Sequence, residues 1–130
     1  MDSGDALAYP VLMGDARVFV AEAEMTPKTE GDPAAVGAAV TAELCGHWEH
    51  EGSCRWPHNN AMCPGSELNT FRTLFVADLS EEETVRERIG AALRGCGDWQ
   101  VVSVRARPVG QHEQALAERL LAAPRLTDPR

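Results

Sequence analysis

Twenty residues near the middle of the chain, Cys45–Pro64, read CGHWEHEGSCRWPHNNAMCP. They hold three of the four cysteines, three of the four histidines and two of the three tryptophans. Any fold must route through this stretch, yet its own residues resist long regular elements. Gly46, Gly52, Pro57, Asn59-Asn60 and the Pro64-Gly65 pair all favour turns. What the stretch can become therefore depends on the elements at its two ends.

Upstream, Tyr9–Met13 and Ala16–Ala23 are apolar runs around Gly14-Asp15, a pairing that suits a tight hairpin. Arg17–Ala23 is the better strand, with Val18 and Val20 on one face and Phe19, Ala21 and Ala23 on the other. Glu24–Gly31 reads as a loop, and Met1–Ala8 as a disordered terminus. Asp32-Pro33 starts a helix, with Asp as N-cap and Pro at the first helical position. Val36, Ala39, Val40 and Leu44 repeat along it at helical spacing and carry the chain to Cys45.

Downstream, Asn69–Asp78 is the clearest strand, with Phe71, Thr73, Phe75 and Ala77 on one face and Leu74 and Val76 on the other. Ser80-Glu81-Glu82-Glu83 reads as a capping box for a helix with Val85, Ile89, Ala92 and Leu93 as its buried stripe, ended by Gly95. Trp99–Arg107 is a strand expected to turn Val102, Val104 and Ala106 inward and Ser103, Arg105 and Arg107 outward. Gln111–Ala122 is a last amphipathic helix carrying Leu116, Leu120 and Leu121.

One more strand after the first helix would complete β-α-β-β-α-β. The expected fold is thus α+β, a single domain over residues 1–130 with the ferredoxin-like split βαβ arrangement and an extra C-terminal helix. Gly46–Glu51 is the expected source of the second strand. The alternative is a metal-ordered loop at 45–64, with Tyr9–Met13 as the fourth strand.

The Cys/His stretch is where chemistry is expected. Its donors follow one another at Cys45-x-His47, His47-x2-His50, His50-x3-Cys54, Cys54-x3-His58 and His58-x4-Cys63. Zinc takes four nitrogen or sulfur donors in a tetrahedron, and gaps of this size let one loop wrap the ion. The expected ligands are Cys45, His50, Cys54 and His58, with His47 and Cys63 as competitors. No C-x2-C pair is present, and on an extended strand His47 and His50 would point to opposite faces. A second reading is a small enzyme that uses His47, His50 or His58 for acid–base chemistry on a small molecule. A thiolate–imidazolium pair of Cys54 with His50 or His58 belongs to the same reading. A third is an acidic partner-binding module. Against all three stands a plain packing role, with Trp48 and Trp56 as core residues of a hairpin and His47, Glu49 and Glu51 on its wet face.

Charge limits the partners. Twelve basic residues against twenty acidic ones leave a net charge of −8, too little positive charge for phosphate-backbone binding. No nucleic-acid partner is expected, and no membrane partner, since no apolar run approaches a span. A homodimer is compatible with this fold class. The N-terminus lacks the pattern of a secretory signal, so a cytoplasmic location with reduced cysteines is expected, with one structural disulfide among Cys45, Cys54 and Cys63 as the alternative.

The run Gly46–Glu51, followed by Cys54 and Pro57-His58, resembles a group of small actinobacterial proteins that carry a G-H-W-x-H segment. In these too a strand like Arg72–Ala77 and an acidic-capped helix like Glu81–Leu93 follow. The resemblance covers Cys45 to Leu93 and implies a shared segment, with no activity attached to it.

Overall fold

In the computed structural model the described residues are 16–28, 30–45 and 55–124. They form, in order, β1 (Ala16–Pro27), α1 (Pro33–Cys45), β2 (His58–Cys63), β3 (Asn69–Asp78), α2 (Glu82–Arg94), β4 (Trp99–Arg107) and α3 (Gln114–Ala122). The four strands make one antiparallel sheet in the spatial order β2-β3-β1-β4. The chain is therefore α+β.

Both faces of the central strands are apolar, so both must be covered. On one face Ala21, Ala23 and Met25 of β1 and Phe71, Phe75 and Ala77 of β3 meet Val36, Val40 and Leu44 of α1 and Val85, Ile89 and Leu93 of α2. Trp56 and Trp99 close this larger core. On the other face Val20 and Leu74 meet Ala117 of α3, with Leu116 and Leu120 packed around them. The result is a helix pair, a sheet and a single helix, stacked in that order.

The first helix begins as its sequence dictates, with Asp32 Oδ1 accepting the Ala34 N–H at 3.0 Å. Asn69–Asp78 is a strand with the expected two faces. Elsewhere the structure departs from the sequence-based expectation. The second strand is His58–Cys63, at the far end of the Cys/His stretch. Gly46–Glu51, Tyr9–Met13 and Met1–Ala8 lie outside the described residues. Asparagine is poor in strands, but here both asparagines find tertiary partners. Arg72 donates to the Asn59 carbonyl and side-chain oxygens, and Asn60 reaches α1.

Strand β1 continues through the expected loop as far as Pro27, because Met25 is fully buried on the same face as Ala21 and Ala23. The expected inward set on β4 is also corrected. Ser103 pairs with Glu24 and Val101 with Met25, so one extra residue, Val102, bulges out between them. Val101 and Val104 pack on the core, and Val102 is 54% exposed. On α3 it is Leu121 that faces out, at 46% exposure. The expected capping box does not form either. A 3-10 turn, Leu79–Glu81, leads into α2, and neither that turn nor the helix has a side-chain cap. Glu81 is engaged elsewhere, as described next.

Candidate functional site

Helix α1 lies over the β2 edge of the sheet, and alternation along β2 turns His58 and Asn60 towards it. Thr41 meets both. Its hydroxyl stands 2.9 Å from His58 Nε2, and the other ring nitrogen, Nδ1, stands 3.0 Å from the Trp56 carbonyl oxygen. A carbonyl only accepts, so Nδ1 carries the proton and Nε2 is a lone pair that receives the Thr41 O–H. Burial holds the His58 pKa below its ordinary 6.5, partly offset by the hydrogen bond to Trp56. At neutral pH the ring is thus an uncharged imidazole with one nitrogen fixed and the other presented to a hydroxyl.

Asn60 completes the cluster. Its amide Nδ2 donates to the Gly37 carbonyl at 3.1 Å and to Thr41 Oγ1 at 3.2 Å. The Gly37 carbonyl fixes which way the amide points. Asn60 Oδ1 is left buried and without a hydrogen-bond partner among the described residues. Next to it runs a groove of about 240 Å³ lined by Pro33, Ala34 and Gly37 of α1, Asn60, Ala61 and Met62 of β2, and Phe71.

The Trp56 carbonyl is held in place by its own side chain. The indole is buried, and its Nε1 donates to Glu81 Oε1 at 3.2 Å, while Arg55 donates to Glu81 Oε2 at 2.8 Å. Burial alone would raise the Glu81 pKa, but the bonds from Arg55 and Trp56 outweigh it and the net shift is downward. Arg55 and Arg88 also lie against the indole ring, at 4.7 and 5.2 Å from its centroid. Trp56 is thus a core anchor, and the turn before β2 hangs from it.

Of the expected zinc ligands, His58 and Cys45 are described, and His50, Cys54 and the competitor His47 lie outside the described residues, as does Trp48. Cys45 ends α1 one helical turn beyond Thr41, hence on the same side of the helix. It is disulfide-bonded, which departs from the expectation of reduced thiols, whereas Cys63 and Cys96 are free. Cys63 closes β2 five residues after His58, roughly 17 Å away along an extended strand, and is exposed. Burial pushes the Cys96 thiol pKa up. No group of three or more metal-ligating side chains occurs among the described residues.

A second polar cluster, missed in the sequence, crosses the opposite face of the sheet. Glu113 is 4% exposed. It accepts a forked pair of bonds from Arg107 at 2.9 and 3.1 Å, the Gly110 N–H at 2.8 Å, and an ion pair from Arg72 at 3.2 Å. The Arg107 contact leads in holding its pKa down to about 2. Arg107 and Arg105 also share Glu22. The alternating arginines of β4 were the available signal, but their acidic partners come from other elements.

No protein-family model matches the chain, and no curated protein is significantly similar to it.

Proposed function

We propose that the protein binds a small molecule at the junction of α1 and β2 and uses His58 as its proton acceptor. The observation that carries this reading is the imidazole itself. It is neutral, with Nδ1–H on the Trp56 carbonyl and Nε2 on a hydroxyl, beside an open groove that Asn60 lines. A general base needs a fixed tautomer, a nitrogen that is unprotonated at working pH, and adjacent space. A screen of small amides and alcohols by NMR tests it. Binders should move the Gly37 and Asn60 amide resonances together with the His58 ring signals. A millimolar screen that moves none of them would refute the reading.

A second reading keeps zinc, on a different observation. A metal-binding histidine usually donates its other ring N–H to a carbonyl or carboxylate, and His58 does so. In this reading Cys45, His50, Cys54 and His58 hold the ion. A thiolate is required at Cys45, so zinc and the disulfide are alternative states of that sulfur. Reduced protein should then take up about one zinc per chain and oxidised protein none. No uptake by the reduced form would end this reading.

Among the described residues the element order βαββαβ, with the spatial order β2-β3-β1-β4, supports assignment to the ferredoxin-like split βαβ arrangement, with α3 as an addition. Among the described residues no helix is long and apolar enough to cross a membrane. A disulfide persists in oxidising surroundings and is transient in reducing ones, so Cys45 gives the expected cytoplasmic location a direct test. Its thiol should be titratable in freshly lysed cells.

A further inference from the structure

We propose that Thr41 is an acyl-accepting nucleophile, with His58 as its general base and the adjoining groove as the seat of a short acyl chain. The inference rests on the small-molecule reading above. Three groups stand in series: a hydroxyl 2.9 Å from an imidazole lone pair, and the opposite ring nitrogen 3.0 Å from a carbonyl that fixes its tautomer. A nucleophile within reach of a base, with a third group orienting that base, is the arrangement that activates an otherwise weak alcohol. Asn60 Nδ2 donates to Thr41 Oγ1 and so stabilises the negative charge that develops there as the proton leaves.

The groove supplies the substrate class. Asn60, which donates to Thr41, and Gly37, one helical turn before Thr41, line it together with Pro33, Ala34, Met62 and Phe71. Its walls are apolar and its volume is about 240 Å³. That is space for roughly eight waters at ~30 Å³ each, so it suits a chain of a few carbons. The net charge of −8 disfavours anionic acyl donors, and a neutral ester is the donor this proposal takes.

The reaction balances without a metal or cofactor. Thr41 Oγ1 attacks the ester carbonyl carbon as its proton passes to His58 Nε2. The bond to the leaving alcohol breaks, and that alcohol takes the proton from Nε2. The acyl-Thr41 ester is then attacked by water, whose proton His58 accepts and returns to Oγ1, releasing a carboxylic acid.

The full-length protein, incubated with p-nitrophenyl butyrate, tests this. The expected result is release of p-nitrophenolate above the rate with unfolded protein. Mass spectrometry should find one butyryl group on the peptide that holds Thr41. Thr41→Val should abolish both. His58→Gln should slow release about 100-fold, the usual contribution of a general base. Gly37→Ala guards against misfolding as an explanation. Its methyl group would sit 3.6 Å from Asn60, an ordinary contact, and alanine suits a helix better than glycine. The variant should therefore fold normally and favour acetate over butyrate esters. Turnover unchanged in Thr41→Val, or the absence of any acyl adduct, overturns the proposal. In that event N-methylbutyramide, which cannot be cleaved, separates the two levels. Binding that moves the Gly37 and Asn60 signals leaves the small-molecule reading standing, and no binding removes it as well.

Discussion

His58 has its two nitrogens in different roles, and its protonation is opposed by burial. A histidine with a depressed folded pKa contributes stability that is present above pH 6.5 and lost as pH falls through the folded value. An NMR titration of its ring should therefore give a midpoint below 6.5; a value at or above 6.5 would contradict the buried, neutral imidazole. Gly31 makes a different kind of prediction. A Cβ there would stand 2.7 Å from Trp99 Nε1, which donates to the Asp32 carbonyl at 3.2 Å. Gly31→Ala should cost about 1–3 kcal/mol in denaturant unfolding, as overpacking against a buried ring does. At this scale the candidate site was half legible. His58 stands out by type in any reading of the sequence. Thr41 and Asn60 do not, because a threonine and an asparagine acquire a chemical role only once α1 is laid over β2.

Elements were legible where one periodicity ran without competition. Asn69–Asp78 and Pro33–Cys45 were readable because their apolar spacing and, for α1, the Asp32 cap all point the same way. Strand β2 was not readable, since its asparagines are satisfied by Arg72, Gly37 and Thr41, which are distant in sequence. Strand β4 is legible in its span, in the inward Val104 and in the outward Ser103 and Arg105, but a single bulged residue turns Val102 out and Val101 in. That shift can be measured. Val102→Thr should change stability by less than about 0.5 kcal/mol, like other exposed positions. Val101→Ala should cost clearly more. The reverse order would mean that the strand keeps the simple alternation. The start of α2 gives a parallel case. Ser80 makes no cap, so Ser80→Ala should be close to neutral, whereas losing a true cap costs about 1 kcal/mol. Glu81→Ala should be the damaging change, as it leaves the Trp56 indole N–H and Arg55 without their acceptor.

For the whole molecule, the two faces of the sheet are held by different forces. One side buries Phe71, Phe75, Trp56 and Trp99 under two helices. The other buries a few aliphatic side chains under α3 and relies on Glu113 with Arg72 and Arg107. Glu113 has a folded pKa of about 2 against an ordinary value of 4.5. Its contribution is therefore complete above pH 4.5 and is lost as pH falls towards 2. Glu113→Gln should lower stability at neutral pH by about 3 kcal/mol, as removal of one partner from a buried ionic cluster does. It should also flatten the fall in stability between pH 4.5 and 2, read from urea midpoints across that range. An unchanged acid profile would show that the cluster is energetically idle.

That asymmetry gives the molecule a weak side and a strong side. In acid, α3 should peel away while the helix pair stays closed on the larger core. A protease active at low pH should then cut within Gln114–Ala122 well before it cuts α1 or α2. The surface uncovered by this peeling, Val20 and Leu74 with their neighbours, is apolar and built from strands, the kind of surface on which copies of a protein stick together. Glu113, on the face opposite the candidate site, thus governs how far into acid that apolar surface stays covered.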